Sequence, residues 1–132
     1  MSSSVEKAVV FQSAASLHNA AVTSTSNSLG VDITDYTGIV EVAVAIPAVS
    51  GTSPTLDIVL QSSATSGGTY AAAVKTDGTS AAFTQKTAAA TVERILVDTA
   101  ALNKFVRLAF TAGGTSPSFT VSAVLRGVKK IV

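Results

Sequence analysis

Residues 38–47 read Gly38-Ile-Val-Glu-Val-Ala-Val-Ala-Ile-Pro47, and this stretch determines the fold class. In an extended strand, alternate side chains point to opposite faces. One face here carries the large apolar residues Val40, Val42, Val44 and Ile46. A helix would scatter these residues around its circumference, so the alternation predicts a β-strand with one buried face. Ile39, Glu41, Ala43 and Ala45 belong to the other face.

The pattern resumes after a short segment that contains Gly51-Thr52-Ser53-Pro54. The same four residues return at 114–117, again between two alternating runs. Glycine permits positive φ and proline fixes the start of the following strand, so we predict a β-hairpin around each copy. The return strand of the second hairpin should bury Phe119, Val121, Ala123 and Leu125. Two hairpins with matching turns indicate internal pseudo-symmetry.

Shorter elements lie between and before these runs. Asp77-Gly78 is a strong signal for a tight hairpin turn. Residues 99–103 resemble a single helical turn capped by Asp98 or Thr99. With no convincing longer helix, the sequence predicts an all-β chain, a β-sandwich or jelly roll of about eight antiparallel strands. We expect a possible N-terminal arm over residues 1–17, extended at residues 5–12, and one domain over residues 18–132.

The composition favours a protein whose surface is covered by partners. Ala, Ser, Thr and Val supply 74 of the 132 residues, and charged residues reach only 13%, compared with about 25% in an average domain. A Ser/Thr-rich β-domain without partners would have the same composition. All eight acidic residues lie at or before Asp98, whereas five of the nine basic residues follow it. This asymmetry could steer unlike neighbours together in an assembly. We expect strand pairing to interleave the two parts and to cancel it.

Several classes of site and location are disfavoured. The chain has no cysteine, which excludes disulfides and zinc-thiolate sites and fits assembly in a reducing cytosol. Residues 1–11 lack the basic and apolar regions of a signal peptide. The longest apolar run, residues 39–49, is interrupted by Glu41 and Pro47 and is too short to span a bilayer. We therefore expect no membrane partner, no cofactor and no metal site.

No catalytic set is apparent, and we expect the protein not to be an enzyme. His18 is the only histidine, and no Gly-x-Ser-x-Gly segment accompanies it, so a solvated surface histidine is the favoured interpretation. Nothing in the spacing of the carboxylates singles out two for glycoside hydrolysis. Aromatic residues make up only 5% of the chain and are not interleaved with basic ones, which argues against nucleic-acid binding.

Three segments together resemble a known class of proteins. They are Gly30–Gly38 (Gly-Val-Asp-Ile-Thr-Asp-Tyr-Thr-Gly), Leu56–Gln61 with the Ser/Gly-rich loop and Tyr70, and Ile95–Leu102 leading into Phe105–Gly114. Their order over residues 28–126 resembles small virion structural proteins of tailed bacteriophages, especially the decoration or cement proteins of the capsid. None of the segments is an active-site signature.

The resemblance implies a non-enzymatic protein that decorates and stabilises a phage capsid by binding the major capsid protein. It also implies a homo-oligomer, often a trimer, on the capsid surface of the virion, after assembly in the host bacterial cytoplasm. Alternatives are a tail or head-to-tail connector component, or a carbohydrate-binding module of a fibre. The arm and the basic tail are the expected partner contacts: Val5, Val9, Phe11, Arg126, Lys129 and Lys130.

Overall fold

The computed structural model describes the backbone of residues 10–130 and the side chains of residues 13–129. The strands are β1 (Val10–Val22), β2 (Ser26–Asn27), β3 (Val31–Asp32), β4 (Tyr36–Ser63), β5 (Ala71–Ala72), β6 (Thr91–Asp98) and β7 (Phe105–Lys130). All seven belong to one antiparallel sheet. The all-β prediction is confirmed: the described residues contain one 3-10 turn, Thr99–Ala101, and no α-helix. No helix in this part of the chain is long and apolar enough to cross a membrane.

The sheet is organised around a ribbon of its two longest strands. β4 and β7 pair along nearly their whole length, from Tyr36 opposite Lys129 to Ser63 opposite Phe105. At one end of the ribbon, β1 pairs with β7 and β6 pairs with β4, and we call this half-sheet I. At the other end, β2 and β3 pair with β7 and β5 pairs with β4, and we call this half-sheet II.

The Gly-Thr-Ser-Pro segments lie where the ribbon passes from one half-sheet to the other, and the hairpin prediction for them is wrong. Each segment stays within a single strand, and the two copies lie opposite each other, with Thr52 paired to Thr115. Positive φ at Gly51 (111°) and Ser53 (47°) bends β4 without reversing it. Gly114 and Ser116 repeat this pattern in β7. The same residues that permit a turn also permit a bend, and a partner strand alongside favours the bend.

The chain does have internal pseudo-symmetry, but it relates two interlocked repeats, offset by 66 positions, rather than two hairpins. Val31 and Val40 have counterparts 66 positions later, Val97 and Val106. Val31 pairs with Val106, and Val97 pairs with Val40, so each repeat supplies a strand to the long strand of the other. The last residues of these strands also match: Asp32 and Asp98 each accept a hydrogen bond from the backbone N–H two residues on.

One core serves both half-sheets. The buried residues of the long strands alternate and include those predicted at 40–46 and 119–125. They are almost completely excluded from solvent: Val40, Val42, Val44, Ile46, Leu56, Ile58, Leu60, Val106, Leu108, Phe110, Phe119, Val121, Ala123 and Leu125. His18 of half-sheet I packs on Phe110 of half-sheet II, with ring centroids 4.9 Å apart. The bent ribbon therefore brings the apolar faces of the two half-sheets together.

Two predictions for short segments, the Asp98 cap and the Asp77-Gly78 turn, agree with the structure. Asp98 caps the 3-10 turn by accepting a hydrogen bond from Ala100, as expected. Asp77-Gly78 forms a tight turn in which the backbone N–H of Lys75 donates to the Thr79 carbonyl. In the segment predicted as an arm, residues 10–17 belong to β1 and all of them except Leu17 pair with β7, whereas residues 1–9 lie outside the described part.

Candidate interaction surface

The outer face of half-sheet I carries a charged cluster on neighbouring strands. Leu96 of β6, Glu41 of β4 and Arg126 of β7 stand side by side across the sheet. Arg94 lies two residues before Leu96 in β6 and on the same face, because side chains alternate along a strand. We call this surface the arginine face: Ile39, Glu41, Val92, Arg94, Leu96 and Arg126.

Glu41 lies between the two arginines of this face. Its Oε1 is 3.6 Å from Nε of Arg94 and 3.9 Å from Nη1 of Arg126. Both arginine side chains are more than half exposed, at 58% and 57%, whereas that of Glu41 is 30% exposed. Such solvent-exposed pairs contribute little to folding stability. One carboxylate cannot use ten guanidinium N–H donors, so the arginines keep donors free for a carboxylate from elsewhere.

Large apolar side chains surround this charged centre. Ile39 is 56% exposed, Val92 61% and Leu96 48%, and they are three of the five most exposed large hydrophobic residues found among those described. A shallow apolar depression beside Val92 is lined by Ala45, Pro47 and Ala90. Arginine and exposed apolar groups in one patch are typical of the centre of a protein–protein interface.

The outer face of half-sheet II has a different arrangement. Arg107 occupies the position equivalent to Glu41, 66 residues later. The ring of Tyr70 covers its guanidinium at 4.0 Å, and Arg107 Nε donates to Gln61 Oε1 at 2.9 Å. The Tyr70 hydroxyl donates to the Ser66 carbonyl at 2.8 Å, which fixes the loop after β4 over this face. The chain itself therefore covers the second face.

A buried ion pair joins the edges of the two half-sheets. Lys86, which bridges to β4 of half-sheet II, is 6% exposed and its Nζ contacts Glu93 of β6. The backbone N–H of Thr84 also donates to the Glu93 carboxylate, at 3.0 Å. Burial raises the pKa of Glu93, but the hydrogen bonds from Lys86 and Thr84 outweigh it and leave the pKa below its usual value. This pair is a structural tie between the halves.

Two further acidic groups, Asp32 and Asp77, are turn formers. The Thr34 hydroxyl and the Thr34 backbone N–H donate to Asp32 and lower its pKa, and Lys104 and Lys129 add to the shift. Asp77 has a lowered pKa for the same reason, through hydrogen bonds from Thr79. Within residues 10–130, no three His, Asp or Glu side chains lie close enough to hold a metal ion.

The prediction that His18 is a solvated surface residue is wrong. Its side chain is half-buried against Phe110, and its Nε2 is buried without a hydrogen-bond partner among the described residues. The cause is a β-bulge: β1 shifts register between Ser16 and His18, so Leu17 is an extra residue and the alternation changes phase there. The sequence shows no signal for this shift.

The predicted partner contacts fall in different places. Arg126 belongs to the arginine face, beside Glu41, so a late basic residue and an early acidic one are indeed interleaved. Lys129 Nζ lies 5.9 Å from the centroid of the Tyr36 ring. Phe11 and Lys130 pair in the backbone with Lys129 and Val10, and their side chains are outside the description, as are Val5 and Val9 altogether.

Sequence reasoning missed the rest of the arginine face. Glu41 and Ile39 were correctly assigned to the face opposite the buried valines, but nothing local linked them to Arg94 or Arg126. The alternation of Val92, Arg94 and Leu96 with the buried Ile95 and Val97 does mark β6 as a strand in the sequence. Its neighbours across the sheet depend on long-range pairing.

The comparisons with known proteins concern the fold. The chain is similar to the crystal structure of the SPBc2 prophage-derived protein YomS, with a TM-score of 0.53 and 18% identity over 90% of this chain and 96% of that one. A structure of infectious bursal disease virus Gt strain gives a TM-score of 0.21 and 9% identity, covering 92% of this chain and 34% of that one, and carries no argument. No protein-family model matches the sequence, and no curated protein matches it either. The likeness to YomS establishes a shared fold.

Proposed function

We propose that this chain is a non-enzymatic structural protein of a tailed-phage virion that binds other protein subunits through the arginine face. The observation that carries the proposal is the uncovered patch of Arg94, Arg126 and exposed apolar side chains on half-sheet I. The fold shared with a prophage-derived protein supports a phage origin. Two half-sheets over one core also support the predicted sandwich arrangement.

Within the virion, we place the protein on the capsid surface as a decoration protein that contacts the major capsid protein. Packaged DNA strains a capsid outward, and a protein bound across a joint must be released before the joint can open. The free guanidinium donors require carboxylates on the partner, and the apolar groups require a dry contact area around them. The homo-oligomer that the resemblance implies belongs to the same proposal.

A fibre carbohydrate-binding module is less well supported. Such modules present exposed aromatic rings to sugars. Tyr36 is only 8% exposed, and the Tyr70 ring is stacked on Arg107. The described residues therefore offer neither tyrosine as a free platform.

Co-sedimentation with empty phage shells tests the proposal. We expect the wild-type protein to bind shells at a saturating, integer ratio, and Arg126→Glu to weaken binding at least tenfold. Lys104→Glu makes the same change in charge at an exposed site away from the arginine face, and should bind as the wild type does. Failure of the wild type to bind, with assembly into six-fold rings or tubes instead, would favour a tail component. Equal binding by Arg126→Glu and wild type would exclude the arginine face.

A further inference from the structure

β1 is a long sheet edge without the usual protection. Within residues 10–130 its 13 residues pair only with β7, so the backbone groups along its other side are free. Residues 10–22 contain no Asp, Glu, Lys, Arg or Pro. Proteins normally protect such edges with charge, proline, short length or a covering segment, because a free edge pairs with other strands.

The other edges of the sheet have that protection. β2, β3 and β5 are only two residues long each. β6 carries Glu93, Arg94 and Asp98, and its outer side is covered in part because the backbone N–H of Thr76 donates to the Leu96 carbonyl at 3.0 Å. β1 is therefore the exception among the described strands.

The side chains of β1 allow a second backbone to approach. Ala14 and Ser16 are exposed and small, so another strand can reach the interstrand spacing of about 4.8 Å. The bulge at Leu17 bends the edge and limits regular pairing to one side of it. The stretch before the bulge, residues 10–16, is seven residues long, which is enough for a full strand.

We propose that residues 10–16 of β1 pair antiparallel with the same residues of a second copy of this chain, about a two-fold axis at Ser13. The occupant is a second copy because an uncharged strand meets itself without like-charge repulsion. One self-complementary edge produces a closed dimer, since a trimer needs two different contact surfaces on each subunit. This interface goes beyond the proposed function and differs from the trimer that the resemblance implies.

The dimer would also affect partner binding. A two-fold axis between antiparallel strands stands perpendicular to the sheet, so the outer faces of both half-sheets I lie on the same side. Ala14, which pairs with Arg126, shares that face. Two arginine faces would then act together, and two linked sites hold a partner far more tightly than one.

Analytical ultracentrifugation over a range of concentrations tests the interface. We expect the wild type to be a dimer and Ala14→Lys to raise the dimer dissociation constant at least tenfold, because the two lysines would meet across the axis. Ala21→Lys places the same charge at an exposed position of β1 beyond the bulge and should leave the dimer intact. An equimolar mixture of Ala14→Lys and Ala14→Glu should form a heterodimer, although neither variant dimerises well alone.

Three results would overturn the proposal: a wild type that is monomeric at every concentration, a trimer, or a dimer that Ala14→Lys does not weaken. Circular dichroism and thermal unfolding confirm that the variants are folded, and Ala14→Glu, which also places like charges beside the axis, replaces Ala14→Lys if the latter is not. Shell binding is measured separately. A dimer that ignores shells would contradict the proposed function alone, and a monomer that binds shells would contradict this interface alone.

Discussion

The two outer faces of this molecule are built on equivalent strands but have opposite relations to solvent. On half-sheet I, Glu41 lies between two exposed arginines and beside the exposed Leu96. On half-sheet II, the equivalent of Glu41 is Arg107, and the equivalent of Leu96 is Gly30. Tyr70 lies over Arg107 and against Gly30, where an added Cβ would be 2.2 Å from the tyrosine hydroxyl.

The difference follows from the residues at equivalent positions of the two faces. A glycine at position 30 leaves room for the loop that carries Tyr70, and Arg107 provides a cation for its ring. Leu96 fills the equivalent space on half-sheet I and leaves Arg94 and Arg126 uncovered. The scaffold is shared, and the residues at these two equivalent positions differ between the face that the Tyr70 loop covers and the face that stays open.

The bend that joins the faces should be the most sensitive part of the molecule. An added Cβ at Gly51 would lie 2.6 Å from the Ser116 carbonyl, and one at Gly114 would lie 2.5 Å from the Ser53 carbonyl, both at positive φ. We expect Gly51→Ala and Gly114→Ala each to lower the free energy of unfolding by about 2–4 kcal/mol. Urea denaturation measures this. Gly67→Ala, which meets nothing within 4 Å, is the control, and an equally small effect at all three sites would contradict the crossing geometry.

Loss of the ion pair between Lys86 and Glu93 should have the next largest effect on the free energy of unfolding. Glu93→Gln leaves the ammonium of the buried Lys86 without its counter-ion, and we expect a loss of about 1–3 kcal/mol at neutral pH. Because the pKa of Glu93 is lowered in the folded state, its stabilisation is present above the unfolded pKa and disappears as the pH falls through the folded one. Unfolding free energies of wild type and variant should therefore converge in acid. A gap that stays constant with pH would refute the role of the carboxylate charge.

Removal of Tyr70, which covers the outer face of half-sheet II, should lower the free energy of unfolding. Tyr70→Ala removes the ring from Arg107, and we expect a loss of about 1–2 kcal/mol in thermal or urea unfolding. Tyr70→Phe keeps the ring and loses only the hydrogen bond to Ser66, so its effect should be about 0.5–1 kcal/mol. Identical losses for the two variants would show that the ring does not stabilise this face.

Substitutions on the open arginine face should change the free energy of unfolding least. Arg126→Ala removes a side chain that is 57% exposed, and we expect the unfolding free energy to change by less than about 0.5 kcal/mol. Arg107→Ala, at a covered arginine, should cost about 1 kcal/mol or more. A reversal of that order in urea denaturation would remove the contrast between the two faces.

Much of the local structure followed from the sequence. Alternation located the buried residues at 40–46 of β4 and 119–125 of β7, and Asp98 was a correct cap, because these features depend on residues a few positions apart. Part of the candidate surface, Arg126, was also predicted, although as a member of a tail rather than of a sheet face. Alternation also placed Glu41 on the exposed side of β4.

Strand pairing was decided only by the tertiary structure. The segment Gly51–Pro54 is compatible with a turn or a bend, and the choice depends on the matching segment Gly114–Pro117, which lies opposite it in space. The bulge that buries the His18 ring and the meeting of Glu41 with Arg94 and Arg126 have the same origin. The sequence by itself determined which residues form strands and which faces are apolar, since side-chain alternation is local. Hydrogen bonds between strands join residues far apart in the chain, so only the folded sheet determined which faces meet, which one is covered and which one is left open.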